Sequence, residues 1–390
     1  MNFEYSCALS PVSMDLVSSY QELENLPHLK ILSQDDNTSY EKAMNFAKDL
    51  KTIVVLGTGG SSLGGQTIYH AFKKQSLRTF IFLDNIDPVT LEEVSKELDL
   101  KTTGFLVISK SGNTPETLSQ FLYFKELYAS KSLKDHFLSI TEPKDSALTR
   151  MCETYCLQSI SHPLDIGGRY SVFSVVGMVP EVLMGLDAKA FKQGALTYFN
   201  NYQDESLLSV NWHYSHFLAG KTLTVVKPYC DRLKLYPVWF RQLWAESLGK
   251  EGRGLTPIDA YGTVDQHSQV QLYLDGPKDK TFTLLWSKDM PSLPPFKTDV
   301  DHASLEPLSG KTMKALYQAE YEALFDTFKS ESLPIRKIEF DTLSEGELGR
   351  LFISAMIETI LLAKLLNIDP FDQPAVEKGK IRTFEILKEV

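Results

Sequence analysis

Cysteine is scarce in this sequence, and its positions follow neither a metal-binding pattern nor a disulfide framework. Four cysteines occur among 390 residues, as Cys7, Cys152, Cys156 and Cys230. Their spacing matches neither a zinc site nor the paired cysteines of a small secreted fold. Because His-Glu-x-x-His and clustered carboxylates are also lacking, no metal ion is expected. Cys152 and Cys156 are four residues apart and are expected to be small buried residues on one helix face.

Long apolar runs and an excess of basic residues are lacking as well. No uncharged apolar run approaches membrane-spanning length, and the N-terminus has no signal-peptide pattern, which predicts a cytoplasmic protein without a membrane partner. The 40 basic and 50 acidic residues give a net charge of −10, which argues against a nucleic-acid partner. A small anion remains possible as a ligand, because a local site can be positive on a negative protein.

Short β-branched segments alternate with amphipathic stretches through residues 52–160. They recur about every 25–30 residues, the length of a βα unit. We predict strands at 53–56, 80–83, 105–108 and 137–140, and helices at 62–74, 88–98, 115–129 and 145–154. This alternation predicts an α/β fold with a doubly wound parallel sheet, whose ligands bind beyond the carboxyl ends of the strands.

The second half of the chain shows a similar but less regular alternation. A connecting helix is expected within 170–205. We predict strands at 223–226, 270–274, 282–285 and 335–340, helices at 235–248, 312–329 and 345–366, and a loop at 289–310.

Two predicted strand-to-helix turns favour anion binding. The first contains Gly57, Gly59, Gly60 and Gly64, and glycines let backbone N–H groups approach a ligand. Ser62 occupies the place of the third Rossmann glycine and no Gly-Lys-Ser/Thr follows, so neither a dinucleotide nor ATP is favoured as a cofactor. A tight turn without a ligand is the alternative interpretation of this segment.

The second turn runs from Ser109 through Lys110, Ser111 and Thr114 to Pro115. Thr114 suits a helix N-cap and Pro115 the first helical position, so the N–H groups of the helix end point at the loop. The hydroxyl groups and the lysine add donors and charge. No base-reading aromatic residue accompanies them, which favours a small phosphate monoester over a nucleotide.

A carboxylate and an imidazole follow in the second half. Gln242 and Glu246 are four residues apart and share a helix face, and His267 follows a Gly-Thr turn. A carboxylate can take a proton from carbon while an imidazole moves one between oxygens. The alternatives are a surface glutamate and a structural histidine.

Three further residues are candidates for the same site. Arg169 follows two glycines and is suited to stabilising an oxyanion, although a salt bridge to Asp165 is the alternative. Gln373 and Lys380 are seven residues apart, so a helix through both would present them on one face.

Taken in order from about residue 52 to 382, these segments resemble the glucose-6-phosphate isomerase family. The resemblance implies two sugar-isomerase (SIS) domains with parallel sheets in a three-layer α/β/α arrangement, at 46–195 and 196–390, after an N-terminal segment at 1–45. It implies interconversion of glucose 6-phosphate and fructose 6-phosphate through a cis-enediol, without metal or nucleotide cofactor, in glycolysis and gluconeogenesis. The chain is shorter than typical bacterial and animal members.

The resemblance also assigns roles residue by residue. The 6-phosphate is held by Ser109, Lys110, Ser111 and Thr114, and the sugar is contacted by Gly60, Ser61, Gln242 and Gln373. Glu246 moves the proton between C2 and C1, Arg169 stabilises the enediolate, and His267 and Lys380 assist ring opening. The histidine of the family comes from the neighbouring subunit, which implies a homodimer.

Two other functions remain open at this point. An isomerase acting on both glucose and mannose phosphates would share every motif and is distinguished by turnover of mannose 6-phosphate. A non-catalytic sugar-phosphate sensor would need the phosphate loop but not Glu246, His267 and Lys380 together, so their presence argues against it.

Overall fold

The computed structural model describes residues 1–6, 14–128 and 133–389, which form ten strands and fifteen α-helices joined by 3-10 turns and loops. The strands are β1 Asn2–Tyr5, β2 Thr52–Leu56, β3 Thr79–Leu83, β4 Thr103–Ile108, β5 Phe137–Thr141, β6 Gln158–Ser161, β7 Leu223–Tyr229, β8 Thr256–Asp259, β9 Lys280–Ser287 and β10 Ile335–Phe340. The helices are α1 Met14–Glu22, α2 Pro27–Lys30, α3 Asn37–Phe46, α4 Leu63–Phe72, α5 Pro88–Glu97, α6 Pro115–Glu126, α7 Ala147–Tyr155, α8 Val175–Met184, α9 Ala188–Asn201, α10 Gln203–Leu218, α11 Tyr236–Leu248, α12 Val270–Asp275, α13 Met313–Ser330, α14 Glu345–Leu366 and α15 Glu377–Glu389.

The first sheet is parallel throughout and has the strand order β3-β2-β4-β5-β6. Its central strands are almost wholly buried, as expected of a parallel sheet with both faces covered. The chain leaves β2 on one side to form β3 and returns on the other side to form β4. This reversal makes the crevice beyond β2 and β4 the expected ligand site of the sheet.

The second sheet has the order β1-β10-β9-β7-β8 and repeats this winding around β7. Its strands are parallel except β1, which pairs with β10 in antiparallel register and places the N-terminal residues in this sheet. The doubly wound α/β fold with two parallel sheets is therefore confirmed. The boundaries 46–195 and 196–390 remain a prediction.

The predicted strand at 270–274 is wrong, because these residues form helix α12. Val270, Tyr273 and Leu274 pack into one cluster while Leu272 is exposed. Their spacing of three and four residues is the period of a helix face, and a five-residue segment is too short to distinguish that period from the alternation of a strand.

Other segments follow the predictions with smaller differences. The predicted connecting helix within 170–205 is a 3-10 turn followed by α8 and α9, and the loop at 289–310 contains only a 3-10 turn at Glu306–Leu308. Cys152 is buried, but Cys156 caps α7 in a left-handed conformation and is exposed, so the two do not share a buried face. Cys7 and residue 129 of the predicted helix 115–129 lie outside the described residues.

Helix α14 lies at the centre of the main apolar cluster and is buried on nearly all sides. Its one buried carboxylate, Glu358, pairs with Arg336 of β10 at 3.0 Å and accepts a hydrogen bond from Ser209 of α10 at 2.6 Å. The Arg336 charge holds the pKa of Glu358 at about 2 in spite of burial, so the pair is ionised. The pair therefore ties α14 to β10 of the second sheet and to α10.

None of the helices in the described parts of the chain combines the length and apolar character needed to cross a membrane.

Candidate functional site

Two loops lie side by side at the carboxyl edge of the first sheet. The glycine-rich loop follows β2 and the hydroxyl-rich loop follows β4, and these strands are parallel neighbours. Sequence reasoning placed both loops correctly, because each is defined by local turn and capping chemistry. Their common position is the crevice where the strand order reverses.

The glycine-rich loop lies against two other segments of the chain. A Cβ atom on Gly60 would lie 2.2 Å from the carbonyl oxygen of Gly168, and one on Gly59 would lie 2.7 Å from Nε2 of Gln242. Gly59 also adopts a φ of +54°, which favours glycine. Only glycine therefore lets this loop, with half-buried Ser61, approach both the Arg169 turn and α11.

The hydroxyl-rich loop ends at the N-terminus of α6. Thr114 occupies the N-cap position, as predicted, but its hydroxyl accepts a hydrogen bond from Ser109 Oγ at 2.9 Å and does not cap the helix. No side chain therefore caps the N–H groups at the start of α6, which point towards the loop. Ser111 is exposed and accepts the N–H of Asn113 at 3.2 Å.

Lys110 supplies positive charge at this loop. Its Nζ lies 3.5 Å from the buried carboxylate of Glu142, which also pairs with Lys144. One buried carboxylate shared by two lysines leaves net positive charge beside the end of α6. An anion that enters the loop meets this charge together with the helix dipole.

Glu246 and Arg169 meet at the opening of the crevice. Nη1 of Arg169 lies 3.6 Å from Oε2 of Glu246. The arginine side chain is buried, and the glutamate side chain is about one-third exposed. Gln242 donates from Nε2 to the other oxygen of Glu246 at 3.1 Å, as their four-residue spacing on α11 predicted. The sequence alternative of an Arg169–Asp165 salt bridge is not seen among the described residues.

Four neighbours hold the Arg169 guanidinium in place. Nε donates to Ser247 Oγ at 2.8 Å, Nη1 to Oε1 of Gln373 at 3.4 Å, and Nη2 to the carbonyl oxygens of Pro370 and Asp372. Residues 369–373, which we term the C-terminal strap, thus close over the arginine from the end of α14. A buried cation held this firmly beside a carboxylate can stabilise an oxyanion formed there.

His267 lies apart from this centre. It follows the 3-10 turn Val264–Gln266 between β8 and α12 and is exposed. Its ring makes no hydrogen bond, ion pair or ring contact with any residue that the structure describes. Val264 and Leu272 beside it are also exposed, with 59% and 52% of their surface accessible.

Gln373 and Lys380 do not share a helix, so that prediction is wrong. Gln373 lies in the strap, whereas Lys380 is an exposed residue of α15. Pro374 begins a 3-10 turn between them, and the residue before a proline is disfavoured in helical geometry. The structure therefore brings Gln373 to Arg169 and leaves Lys380 on an exposed terminal helix.

Sequence reasoning missed several residues of the site. Ser247 follows Glu246 directly, and its hydroxyl joins Arg169 to Tyr170 Oη, 2.9 Å away. Glu142 follows β5, and the rule that ligands gather beyond strand ends would have found it.

His28 is another missed residue, and no motif marks it. Its buried ring stacks on Phe371 of the strap with centroids 5.0 Å apart. Burial, with the charges of Lys110 and Arg169, lowers the pKa of His28 to about 4, so the ring is neutral at pH 7.

The described residues contain no group of three or more His, Cys, Asp or Glu side chains arranged to hold a metal ion.

Comparison with known proteins decides the family. The sequence profile described as phosphoglucose isomerase matches residues 9–271. This chain belongs to the phosphoglucose isomerase family. The matched residues include the glycine-rich loop, the hydroxyl-rich loop, the Arg169 turn, α11 and His267.

Individual proteins agree with this membership. A probable glucose-6-phosphate isomerase from Haloarcula marismortui is 33% identical over 92% of this chain and 83% of its own length. A glucose-6-phosphate isomerase from Campylobacter jejuni is 34% identical over 89% of this chain and 88% of its own. The solved structure of a hypothetical protein from Thermus thermophilus superposes with a TM-score of 0.87 and 27% identity, covering 96% of this chain and 94% of that one.

Proposed function

We propose that this chain interconverts glucose 6-phosphate and fructose 6-phosphate, with Glu246 as the base that moves a proton between C2 and C1. The observation that carries the proposal is the meeting of Glu246, Gln242 and Arg169 beside the two anion loops. Family membership supports the same reaction, since relatives about one-third identical are described as glucose-6-phosphate isomerases.

The reaction needs one base and one cation at adjacent atoms. Removing the proton from C2 of the open-chain aldose leaves negative charge on O1. A proton then passes from O2 to O1, and returning the first proton to C1 leaves the carbonyl at C2 and completes the isomerisation. The partly exposed Glu246 is open to substrate, whereas Arg169 is buried and fixed by Ser247 and the strap. A carboxylate that exchanges the proton and a fixed guanidinium that stabilises the enediolate meet this need.

The phosphate loop gives the substrate its orientation. Ser109, Lys110, Ser111 and Thr114 surround the N-terminus of α6, where N–H groups, hydroxyls and an ammonium group converge. We assign Gly60, Ser61 and Gln373 to contacts with the sugar, because Gly60 lies against the Arg169 turn and Gln373 accepts a hydrogen bond from Arg169. Binding energy from the phosphate, remote from the reacting carbons, then holds C1 and C2 at the base.

We assign His267 and Lys380 to ring opening and closing, in a homodimer in which His267 completes the site of the partner. His267, Val264 and Leu272 form an exposed surface with an apolar character that a second copy can cover. Helix α15 is likewise exposed along Ile381, Phe384 and Leu387. Both ring-opening groups thus lie on surfaces suited to assembly.

A coupled assay with fructose 6-phosphate tests the proposed reaction. The purified chain should form glucose 6-phosphate, and in deuterated solvent the recovered product should carry deuterium at C2, because a base exchanges its proton with water. Absence of turnover at micromolar enzyme would reject the proposal. Turnover without exchange would reject Glu246 as a solvent-exchanging base while leaving the isomerisation in place.

A further inference from the structure

Lys227 is a buried lysine of the second sheet. It lies on β7, exposes 2% of its surface, and its Nζ has no hydrogen-bond acceptor or ion-pair partner in the described parts of the chain. Burial lowers the pKa of Lys227 to about 8, partly offset by the charge of Asp265. An apolar side chain of similar length would fill the same space without the desolvation cost of a charge. The ammonium group therefore contributes nothing to stability that methionine would not.

The side chain of Lys227 lies on the same face of β7 as Val225 and Tyr229, because alternate residues of a strand share a face. Val225 and Tyr229 pack in the cluster that α12 and α13 form over this sheet. Nζ of Lys227 lies 5.7 Å from the centre of the Tyr229 ring. Two functional groups, an ammonium and a phenol, are thus directed towards the segment between β8 and α12.

That segment carries His267. Oη of Tyr229 donates a hydrogen bond to Oε1 of Gln266 at 2.8 Å, and Gln266 directly precedes the histidine. The Asp265 carboxylate closes the turn from both sides, since it accepts the N–H of Tyr261 and the hydroxyl of Ser268.

The Asp265 carboxylate is held in its charged form. Burial acts to raise its pKa, but hydrogen bonds from Ser268 and the Tyr261 N–H, together with the charge of Lys227, keep the pKa of Asp265 below its ordinary value. A charged Asp265 therefore faces the Lys227 ammonium at longer range than an ion pair.

We propose that Lys227 and Tyr229 are positioning residues for His267. Tyr229 fixes Gln266 and the Lys227 ammonium attracts the Asp265 carboxylate, so that the turn presents the imidazole at one place and angle. This inference rests on the ring-opening role assigned to His267 above. Accurate placement matters because a catalytic group held loosely by its supports loses much of its effect.

The decisive variant is Lys227→Met, which should give a more stable protein and a slower enzyme. The midpoint of thermal unfolding should rise because a buried charge is removed. On fructose 6-phosphate, kcat should fall by roughly tenfold, since a misplacement of about 1 Å can cost up to two orders of magnitude. KM should change little, because the hydroxyl-rich loop that is proposed to bind the phosphate follows β4 of the first sheet, whereas Lys227 lies in the second. A residue with a purely structural role would not move stability and kcat in opposite directions.

The pH profile gives a second readout. Around Lys227, burial raises the pKa values of Tyr229, Tyr273 and Tyr317 above the ordinary range, and Glu320 faces Tyr229 from α13. None of these tyrosines changes charge near pH 8, whereas Lys227 loses its proton there. The wild-type kcat should therefore decline as pH rises through about 8, and Lys227→Met should lack this alkaline decline.

Two other variants complete the comparison. Lys192→Met is the matched control: Lys192 is a buried lysine of α9 whose Nζ donates to the carbonyl oxygens of Ile31 and Gln34, so its loss should lower stability and leave kcat unchanged. Tyr229→Phe removes only the hydrogen bond to Gln266 and should lower kcat several-fold while the protein stays folded. It keeps the test valid if Lys227→Met does not fold.

His267→Asn separates this inference from the assigned function. A His267→Asn protein as active as wild type rejects the role of His267 itself. If His267→Asn is slow but Lys227→Met and Tyr229→Phe keep the wild-type kcat and pH profile, only the positioning role of Lys227 and Tyr229 is rejected. If the positioning is right, the double variant Lys227→Met/His267→Asn should be no slower than His267→Asn alone, because the lysine acts through the histidine.

Discussion

The Glu246 centre and the His267 turn differ in how completely a single chain assembles them. Around Glu246, Arg169 is buried and bound by Ser247 and the strap, so a single chain holds the cation beside the carboxylate. His267 is exposed on a short turn, and Lys380 lies on an exposed helix. The groups proposed for carbon chemistry are therefore prearranged, and those proposed for ring opening are not.

This difference follows from what each step requires. Charge that develops on carbon and its neighbouring oxygen must meet a fixed, desolvated partner, because a cation that has to reorganise loses much of its stabilising effect. Moving a proton between oxygens during ring opening is less demanding, and a group brought by a second subunit can do it. The comparison is useful because each half predicts a different response to mutation.

The largest effect is expected from Glu246→Gln, which tests the Glu246 centre. This change keeps the size of the side chain and the fold but removes the base, so kcat should fall by roughly 10²–10⁴-fold. Steady-state kinetics with fructose 6-phosphate measures this loss. Glu93→Gln, at an exposed position of α5, is the matched control and should keep wild-type kcat. Near-wild-type turnover of Glu246→Gln would contradict the assignment of Glu246 as the base.

Mixed dimers test whether His267 acts in the active site of the partner subunit. His267→Asn and Glu246→Gln proteins should each be slow, and unfolding and refolding them together should restore about a quarter of wild-type activity. Half of the dimers in a random mixture are hybrids, and in a two-fold symmetric dimer each hybrid has one intact site of two if His267 acts in the partner. If both residues act within one chain, no hybrid site is intact and no activity returns.

Lys110→Met tests the hydroxyl-rich loop, which is proposed to bind the phosphate of the substrate at the Glu246 centre. Loss of one charge-assisted contact to phosphate should raise KM by roughly tenfold, with a smaller change in kcat. Lys144→Met is the control, because Lys144 pairs with the same Glu142 carboxylate but is not one of the proposed phosphate ligands. Equal KM values for the two variants would contradict the assignment of Lys110.

The smallest effect on activity is expected from His28→Phe, beside the strap that covers Arg169. Because the folded-state pKa of His28 is lowered to about 4, the wild-type protein should lose about 3 kcal/mol of stability as pH falls from about 6.5 to 4, where the unfolded chain is protonated and the folded one is not. Phenylalanine keeps the stack on Phe371 and should remove this acid sensitivity. Urea unfolding at pH 7 and pH 4 measures the effect, and an equal loss in both proteins would point to other groups.

Local chemistry explains how much of the site the sequence could predict. Glycine in the first loop, Thr114 and Pro115 at the start of α6, and the four-residue spacing of Gln242 and Glu246 each act within one or two turns of chain. Such features are readable without a fold. The α12 segment failed because five residues are too few to separate two periodicities, and the Gln373–Lys380 spacing failed because Pro374 interrupts the helix.

The sequence by itself therefore determined the doubly wound fold, the glycine-rich and hydroxyl-rich loops at its edge and the chemical type of each candidate group. Only the tertiary structure decided that Arg169 meets Ser247, 78 residues away, and the strap, 201 residues away, beside Glu246. It also decided that His267 is exposed on a turn whose Gln266 side chain accepts a hydrogen bond from Tyr229 of β7. The physical reason is that turns and caps depend on neighbours in the chain, whereas desolvated charges depend on the neighbours that packing brings from elsewhere.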